Sequence, residues 1–371
     1  MKLSLHGRIG AIALTGALAL SLAACGSDDP TGSGDSTSGA PEQASELSGD
    51  LNGAGATSQE KAMDAWRAGF QSANPDVNIN YDPVGSGGGR TQFLDGSVQF
   101  AGSDSALKPE ELDAAKEVCT TEAVDLPLYV SPIAVVFNLE GVTELNMSAA
   151  TIAGIFDGKI TSWDAPEIAA DNPDATLPAE TITPVHRSDE SGTTENFTDY
   201  LAAASEGAWP YEADGNWPIP GGESAQGTSG VIQTVQGGTG TITYADNSAA
   251  GTLGKVSLKV GEEFVAPSGE AAAAAVDASP RDEERAEHDI VVEIDRQTTA
   301  AGAYPLVLVS YSLACLQYPD QETADLVKGF LSYIASAEGQ AASEEAAGSA
   351  PISDTLRTDV QAAIDAITAA A

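Results

Sequence analysis

Residues 186–193 are His186-Arg187-Ser188-Asp189-Glu190-Ser191-Gly192-Thr193, a run typical of the turn between a strand and a helix in an α/β fold. Backbone N–H groups at a helix N-terminus are unpaired and partly positive, so a helix opening at Ser191, Gly192 and Thr193 favours a bound anion. The Arg187 guanidinium can grip two oxygens of a tetrahedral anion, and Asp189 can hold it in position. The run predicts an anion site; the alternative is a surface Arg–Asp ion pair that contributes little stability.

Three other small-residue segments also fall where a strand should give way to a helix. They are Gly53-Ala54-Gly55-Ala56-Thr57-Ser58, Gly85-Ser86-Gly87-Gly88-Gly89-Arg90 and Ala101-Gly102-Ser103-Asp104. Small residues let the backbone approach a ligand closely, and the hydroxyls of Thr57, Ser58 and Ser86 can donate hydrogen bonds. Together with residues 186–193, these segments are candidates for one binding site.

Each of these three segments also has a purely structural interpretation. Thr57-Ser58-Gln59-Glu60 matches a capping box, with Thr57 as the cap and Glu60 at N3. The glycine-rich segment is neither a Walker A loop nor a dinucleotide-binding fingerprint, and by itself it favours a flexible turn. Asp104 by itself favours a cap for a helix near residues 109–117, or a solvated surface residue.

The periodicity of apolar residues predicts alternating strands and helices. Val77, Ile79 and Tyr81 alternate with asparagines, which suits a strand. One helical face is formed by Met63, Trp66 and Phe70, and that helix should stop before Asn74-Pro75. Buried strands are expected at residues 133–137 and 306–309, and a non-helical loop at residues 207–222. This alternation implies an α/β protein whose parallel or mixed sheet is covered on both sides.

The N-terminus has the features of an export signal. Lys2 and Arg8 precede an apolar stretch at residues 9–20 that is too short to span a bilayer. Leu22-Ala23-Ala24-Cys25 resembles the lipobox of bacterial lipoproteins, whose signal is cut before a cysteine with an acylated thiol. We therefore expect a lipoprotein signal peptide at residues 1–24, and a lipidated Cys25 with a flexible tether at residues 25–46. An ordinary signal peptide and a buried apolar helix are the alternatives.

Charge and cysteine usage narrow the possible partners and ligands. The formal net charge is −39, which argues against nucleic acid and anionic membrane surfaces as partners. If Cys25 carries lipid, Cys119 and Cys315 remain as a pair in an oxidising compartment, which favours a disulfide over two buried thiols. The chain has three histidines and no Cys-x-x-Cys motif, so we predict neither a metal site nor a cofactor.

The four segments, in their order and spacing, resemble the phosphate-binding proteins of bacterial phosphate-specific ABC importers. The resemblance runs from about Leu47 to the C-terminus and includes the runs Gly240-Thr241-Ile242-Thr243-Tyr244 and Ala350-Pro351-Ile352-Ser353. Carried over residue by residue, it implies phosphate contacts at Thr57, Ser58, Ser86, Asp104, Arg187, Ser191, Gly192 and Thr193. Asp189 would support the arginine. The family often has an aromatic residue where Ser58 stands, which keeps the backbone donor but leaves the local packing open.

The resemblance implies a two-lobed α/β solute-binding fold with the ligand in the cleft between lobes. Lobe 1 would comprise residues 47–130 and 306–371, and lobe 2 residues 131–305. The expected function is capture of inorganic phosphate by hinge closure and delivery to an ABC permease with its ATPase subunits. We expect a monomer on the extracytoplasmic face of the cell membrane, held there only through its lipid anchor, and no chemical step.

Three other functions are compatible with parts of the sequence. The cleft could bind sulfate or another tetrahedral oxyanion instead of phosphate. A secreted phosphohydrolase would need a metal cluster or an activated nucleophile, and the sequence has few histidines and no evident Gly-x-Ser-x-Gly elbow. His186 lies near Ser188 and Asp189 in sequence, but proximity in sequence is not triad geometry. A surface adhesion protein could use the same fold without a ligand.

Overall fold

Strands and helices alternate along residues 47–371, the part of the chain that the computed structural model describes. The strands are β1 Gly49–Gly55, β2 Val77–Asp82, β3 Phe100–Ser103, β4 Ala123–Asn138, β5 Glu144–Met147, β6 Thr183–Arg187, β7 Glu223–Ala225, β8 Thr241–Asp246, β9 Gly254–Val260, β10 Glu263–Val265, β11 Val307–Cys315, β12 Gln317–Tyr318 and β13 Thr368–Ala369. The helices are α1 Glu60–Ala73, α2 Ser86–Leu94, α3 Pro109–Ala115, α4 Ala149–Phe156, α5 Pro166–Asp171, α6 Gly192–Ala204, α7 Gly227–Gly237, α8 Gly269–Asp277, α9 Gln321–Ala335, α10 Ala337–Ala347 and α11 Asp354–Asp365. The predicted signal peptide, Cys25 and the tether lie outside the described residues.

The main sheet is mixed, as the alternation of elements predicts. Its strands follow the order β2-β1-β3-β11-β4-β8-β6-β7, and β9 joins β5 and β10 to β4. Strand β1 is parallel to β2 and β3, whereas β11 is antiparallel to both β3 and β4. Strand β6 is parallel to β7 and β8. The predicted strands at residues 133–137 and 306–309 fall in β4 and, apart from Leu306, in β11.

Strand β4 joins the two halves of this sheet. Its residues 123–132 pair with β11, and its residues 133–138 pair with β8. All of the strand except its last residue is buried, which fits its largely apolar sequence, although Asp125 and Ser131 are polar residues within it. The change of partner falls close to the predicted lobe boundary at residues 130 and 131. Because the described residues pack as one compact unit around the shared strand, the lobe boundaries stay a prediction.

Helix α1 buries its predicted apolar face and ends where its sequence predicts. Met63, Trp66 and Phe70 are buried on one face, and the Trp66 indole N–H donates to the Gly339 carbonyl at 2.8 Å. At the C-terminus, the backbone and side-chain amides of Asn74 both donate to the Phe70 carbonyl. A proline follows Asn74 and disfavours the helical conformation there, so the helix ends at this point.

A disulfide joins Cys119 to Cys315, which confirms the predicted pair over two separate thiols. It ties the turn after α3 to the last residue of β11. Helix α3 itself has Lys108 at the N-cap and Pro109 at its first position. Asp104 is therefore not its cap, and that alternative is wrong. Residues 207–222 contain no helix or strand, as predicted, and no helix within residues 47–371 has the length and apolarity needed to cross a bilayer.

Candidate functional site

The four small-residue segments lie at the carboxyl ends of β1, β2, β3 and β6 and face one another. We call residues 53–58, 85–90 and 101–105 the first wall, and residues 187–194, 227 and 228 the second wall. Hydrogen bonds join the two walls directly, as described below. Ligands of α/β proteins typically bind at the carboxyl ends of strands, so this junction is the candidate site.

Asp104 connects the two walls through both of its carboxylate oxygens. The Ser58 hydroxyl donates to Oδ1 at 2.6 Å, and the Thr193 hydroxyl donates to Oδ2 at 2.8 Å. The Asp104 backbone N–H donates to the Ser86 hydroxyl at 3.1 Å. Burial raises the pKa of Asp104, although these hydroxyl donors and the charge of Arg187 partly oppose that rise. The carboxylate is thus buried, and no guanidinium or ammonium pairs with it within residues 47–371.

Arg187 is fixed by Asp189 in a two-point contact. Its Nε donates to Oδ1 at 2.8 Å and its Nη2 to Oδ2 at 2.5 Å, while the Gly227 N–H also donates to Oδ1 at 3.1 Å. Burial raises the pKa of Asp189, but the hydrogen bond and charge of Arg187 outweigh it and leave that pKa lowered. Both side chains are largely shielded from solvent, so the alternative of a surface ion pair is wrong. Within residues 47–371, Nη1 of Arg187 makes no hydrogen bond and remains available as a donor.

Thr57 joins the first wall to the start of α7. Its hydroxyl accepts a hydrogen bond from the Thr228 N–H at 3.1 Å and lies 2.9 Å from the Thr228 hydroxyl. Gln59, not Thr57, occupies the N-cap position of α1, so the capping-box interpretation is wrong. Thr228 was not among the predicted site residues. The available signal was its run Gly227-Thr228-Ser229 at a helix start, which has the same character as Ser191-Gly192-Thr193.

Three helices begin at the junction. Helix α2 starts at Ser86, α6 at Gly192 and α7 at Gly227, and the Ser191 hydroxyl caps α6 by accepting from the Thr194 N–H at 3.2 Å. A Cβ on Gly192 would lie 2.6 Å from the Asp104 Cβ, so only glycine permits this approach of the walls. Each helix start contributes partial positive charge, which favours an anion, although the Gly227 and Thr228 N–H groups of α7 already donate to Asp189 and Thr57.

The glycine-rich segment at residues 85–90 is helical instead of a flexible turn. Gly87, Gly88 and Gly89 lie in the first turns of α2 even though glycine is a poor helix former. A Cβ on Gly89 would lie 2.5 Å from the Gly55 Cα, so close packing against β1 explains that glycine. The glycines of this segment allow the backbone of α2 to pack closely against the backbone of β1, and the flexible-turn interpretation is wrong.

The structure thus brings all the predicted ligand residues to one buried junction. Ser58, which replaces the family's aromatic residue, is also buried, and its hydroxyl bonds to Asp104. Within residues 47–371, no group of three or more His, Cys, Asp or Glu side chains is placed to hold a metal ion. The junction offers hydroxyls, backbone N–H groups, one arginine and one carboxylate, a donor-rich set suited to a tetrahedral oxyanion that carries a proton.

Comparisons with known proteins agree with this chemistry. A family model described as a PBP superfamily domain matches residues 37–338. Phosphate-binding protein PstS3 of Mycobacterium bovis is 36% identical over 379 residues, which cover 99% of this chain and 100% of the relative. Phosphate-binding protein PstS2 of the same species is 34% identical over 377 residues, with 99% and 100% covered.

A solved structure shares the fold. The periplasmic phosphate-binding protein PfluDING, determined with phosphate bound, has a TM-score of 0.68 at 23% identity and covers 85% of this chain and 93% of its own. At that identity the likeness concerns the fold. It confirms the predicted two-lobed α/β solute-binding architecture.

Proposed function

The chain belongs to the family of PstS phosphate-binding proteins, and from that premise we propose that the junction between its two walls is a phosphate site. The protein binds inorganic phosphate outside the cytoplasm for an ABC-type importer and is a transport component, not an enzyme. The proposed ligand contacts are those that the family resemblance implies, with Thr228 added: Thr57, Ser58, Ser86, Asp104, Arg187, Ser191, Gly192, Thr193 and Thr228.

The observation that carries this assignment is the buried Arg187. Two of its guanidinium nitrogens donate to Asp189, and Nη1, which makes no hydrogen bond within residues 47–371, remains as a donor. A buried arginine that is fixed by a carboxylate, yet keeps a donor, is suited to an anion that arrives and leaves. Three helix N-termini add to its charge.

The same premise supports a mechanism of capture and delivery. The two walls belong to different predicted lobes, and we propose that hinge motion about the shared strands separates them to admit phosphate. Closure replaces the water around the anion with hydroxyls and N–H groups that are already oriented. We further propose that the protein acts as a monomer held to the membrane by lipid on Cys25.

Calorimetric titration tests the function directly. After exhaustive removal of bound ligand, the mature protein should bind phosphate with measurable heat and should not respond to a sugar. Sulfate should bind far more weakly than phosphate. Tighter binding of sulfate than of phosphate would identify sulfate, the alternative oxyanion, as the ligand of the site. Release of phosphate from a phosphomonoester by purified protein would instead support the phosphohydrolase.

The lipid anchor is tested by Cys25→Ser. Without the thiol there is no acylation, so the mature protein should move from the membrane fraction to the soluble fraction. Fractionation and immunoblotting measure this, with Ser27→Ala as a control that alters the tether but leaves the cysteine. If the Cys25→Ser protein stays in the membrane fraction, the lipobox interpretation is wrong.

A further inference from the structure

Arg90, a second buried arginine, lies beside the site, and its guanidinium is bound entirely by protein groups. It stands on α2 in the first wall and is 3% exposed. Its Nε donates to Glu111 at 2.9 Å and its Nη1 to the Ser103 hydroxyl at 3.2 Å, and both partners lie on the same side of the junction. Its Nη2 donates to Glu190 at 2.6 Å, and Glu190 lies in the second wall.

Glu190 occupies a position that links this ion pair to the ligand residues. It stands between Asp189, which holds Arg187, and Ser191, which caps α6. On the other side, Arg90 lies one turn after Ser86, and its partner Ser103 directly precedes Asp104. A bond between Arg90 and Glu190 therefore fixes the relative position of both sets of ligand residues without touching the ligand.

The local packing is adapted to this contact. A Cβ on Gly87 would overlap the Glu190 carboxylate, so glycine at this position lets the two walls meet. Every guanidinium nitrogen of Arg90 has a protein partner, whereas Nη1 of Arg187 makes no hydrogen bond within the described residues. The charge of Arg90 is thus committed to protein carboxylates, which raise its pKa against the opposing effect of burial.

We propose that the Arg90–Glu190 ion pair is a latch that holds the two walls closed over the ligand and slows its release. The proposal rests on the assignment of the junction as the phosphate site. The latch stabilises only the closed arrangement. When the walls separate, Arg90 keeps its contacts with Glu111 and Ser103, whereas Glu190 loses its contact with Arg90 and is solvated by water instead. Arg90 and Glu190 are positioning residues, and neither is a ligand contact.

The latch makes a prediction whose sign is opposite to that of simple electrostatics. Glu190 is a negative charge near an anion site, so its removal by charge alone should tighten phosphate binding. Loss of the latch should instead weaken phosphate binding. Since the Glu190 side chain is 42% exposed, its replacement carries little risk for folding.

Glu190→Ala is therefore the decisive variant. We expect the release of radiolabelled phosphate into excess unlabelled phosphate to become about 10-fold faster, with Kd raised by a similar factor and the association rate nearly unchanged. The ratio of phosphate to sulfate affinity should stay at the wild-type value, since no ligand contact is lost. Glu190→Gln keeps an acceptor oxygen for Arg90 and should give an intermediate release rate.

Two controls define the outcome. Glu223→Gln removes an exposed negative charge that forms no ion pair within residues 47–371, and it should release phosphate at the wild-type rate. In an Arg90→Gln background, provided that this variant keeps its thermal transition, Glu190→Ala should have little further effect. Wild-type or slower release from Glu190→Ala would overturn the latch, whereas failure of the wild-type protein to bind phosphate would overturn the proposed function itself.

Discussion

Arg187→Ala is expected to weaken phosphate binding by about 2–5 kcal/mol, a rise in Kd of roughly 30- to 5,000-fold. The substitution removes the one proposed side-chain cation of the site and leaves a dehydrated anion without a charged partner. It also leaves the largely shielded carboxylate of Asp189 held only by backbone donors such as the Gly227 N–H. That residual carboxylate then faces the ligand as an uncompensated negative charge, which adds to the loss.

Arg187→Lys separates charge from geometry. Lysine keeps the positive charge but cannot contact both oxygens of Asp189 and still present a rigid donor to the ligand. We expect its affinity for phosphate to fall between those of the wild type and Arg187→Ala. Titration calorimetry measures all three, and a thermal transition close to the wild-type value shows that each variant is folded.

Arg281→Ala is the matched control for the loss of an arginine–carboxylate pair. Arg281 contacts Asp359 at 2.6 Å, but both side chains are well exposed and neither belongs to a wall of the site. Surface pairs of this kind contribute little, so phosphate affinity should not change. If Arg187→Ala bound phosphate as tightly as Arg281→Ala does, the site would have to lie elsewhere.

Local patterns in the sequence predicted the elements that build the site. Alternation of apolar residues located β2, and the spacing of Met63, Trp66 and Phe70 located α1. The run from Ser191 to Thr193 located the start of α6, because capping depends on residues that are adjacent in the chain. Such features can be read from a short window since the interactions that produce them are themselves local.

The contacts between the walls could not be predicted in the same way. Thr57 meets Thr228 across 171 positions of the chain, and Arg90 meets Glu190 across 100. No local pattern fixes such distances, because they result from how β4 and β11 bring the two halves of the sheet together. The glycines of α2 misled for a related reason: their spacing suggests a flexible turn, whereas packing against β1 and Glu190 selects a helix.

Asp104→Asn is expected to reduce the preference for phosphate over sulfate by about 100-fold or more. Phosphate near neutral pH keeps at least one proton and can donate it to a carboxylate, whereas sulfate has no proton to donate. Facing sulfate, Asp104 would meet only lone pairs, so two negative groups would be pressed together. Discrimination of this kind comes from a repulsive contact with the wrong ligand.

The geometry of Asp104 is compatible with this role. Oδ1 accepts a hydrogen bond from the Ser58 hydroxyl, and Oδ2 accepts one from the Thr193 hydroxyl. Each carboxylate oxygen can accept a second hydrogen bond. Those hydroxyls fix the orientation of the carboxylate at the junction, so it cannot turn away from sulfate without losing both bonds. An asparagine in its place has an amide that can donate to a sulfate oxygen, which removes the repulsion.

Asp246→Asn distinguishes this effect from the general loss of a buried negative charge. Asp246 is fully buried and accepts from the Tyr129 hydroxyl at 3.0 Å, but within the described residues it has no hydrogen bond to any proposed ligand contact. Removing its charge should raise the affinities for phosphate and for sulfate to a similar degree and leave the ratio of the two affinities constant. In Asp104→Asn, sulfate should gain affinity while phosphate loses it. Both affinities are measured at fixed pH and ionic strength. If the affinities for phosphate and sulfate changed in parallel in both variants, Asp104 would not discriminate by accepting a hydrogen bond from the phosphate proton.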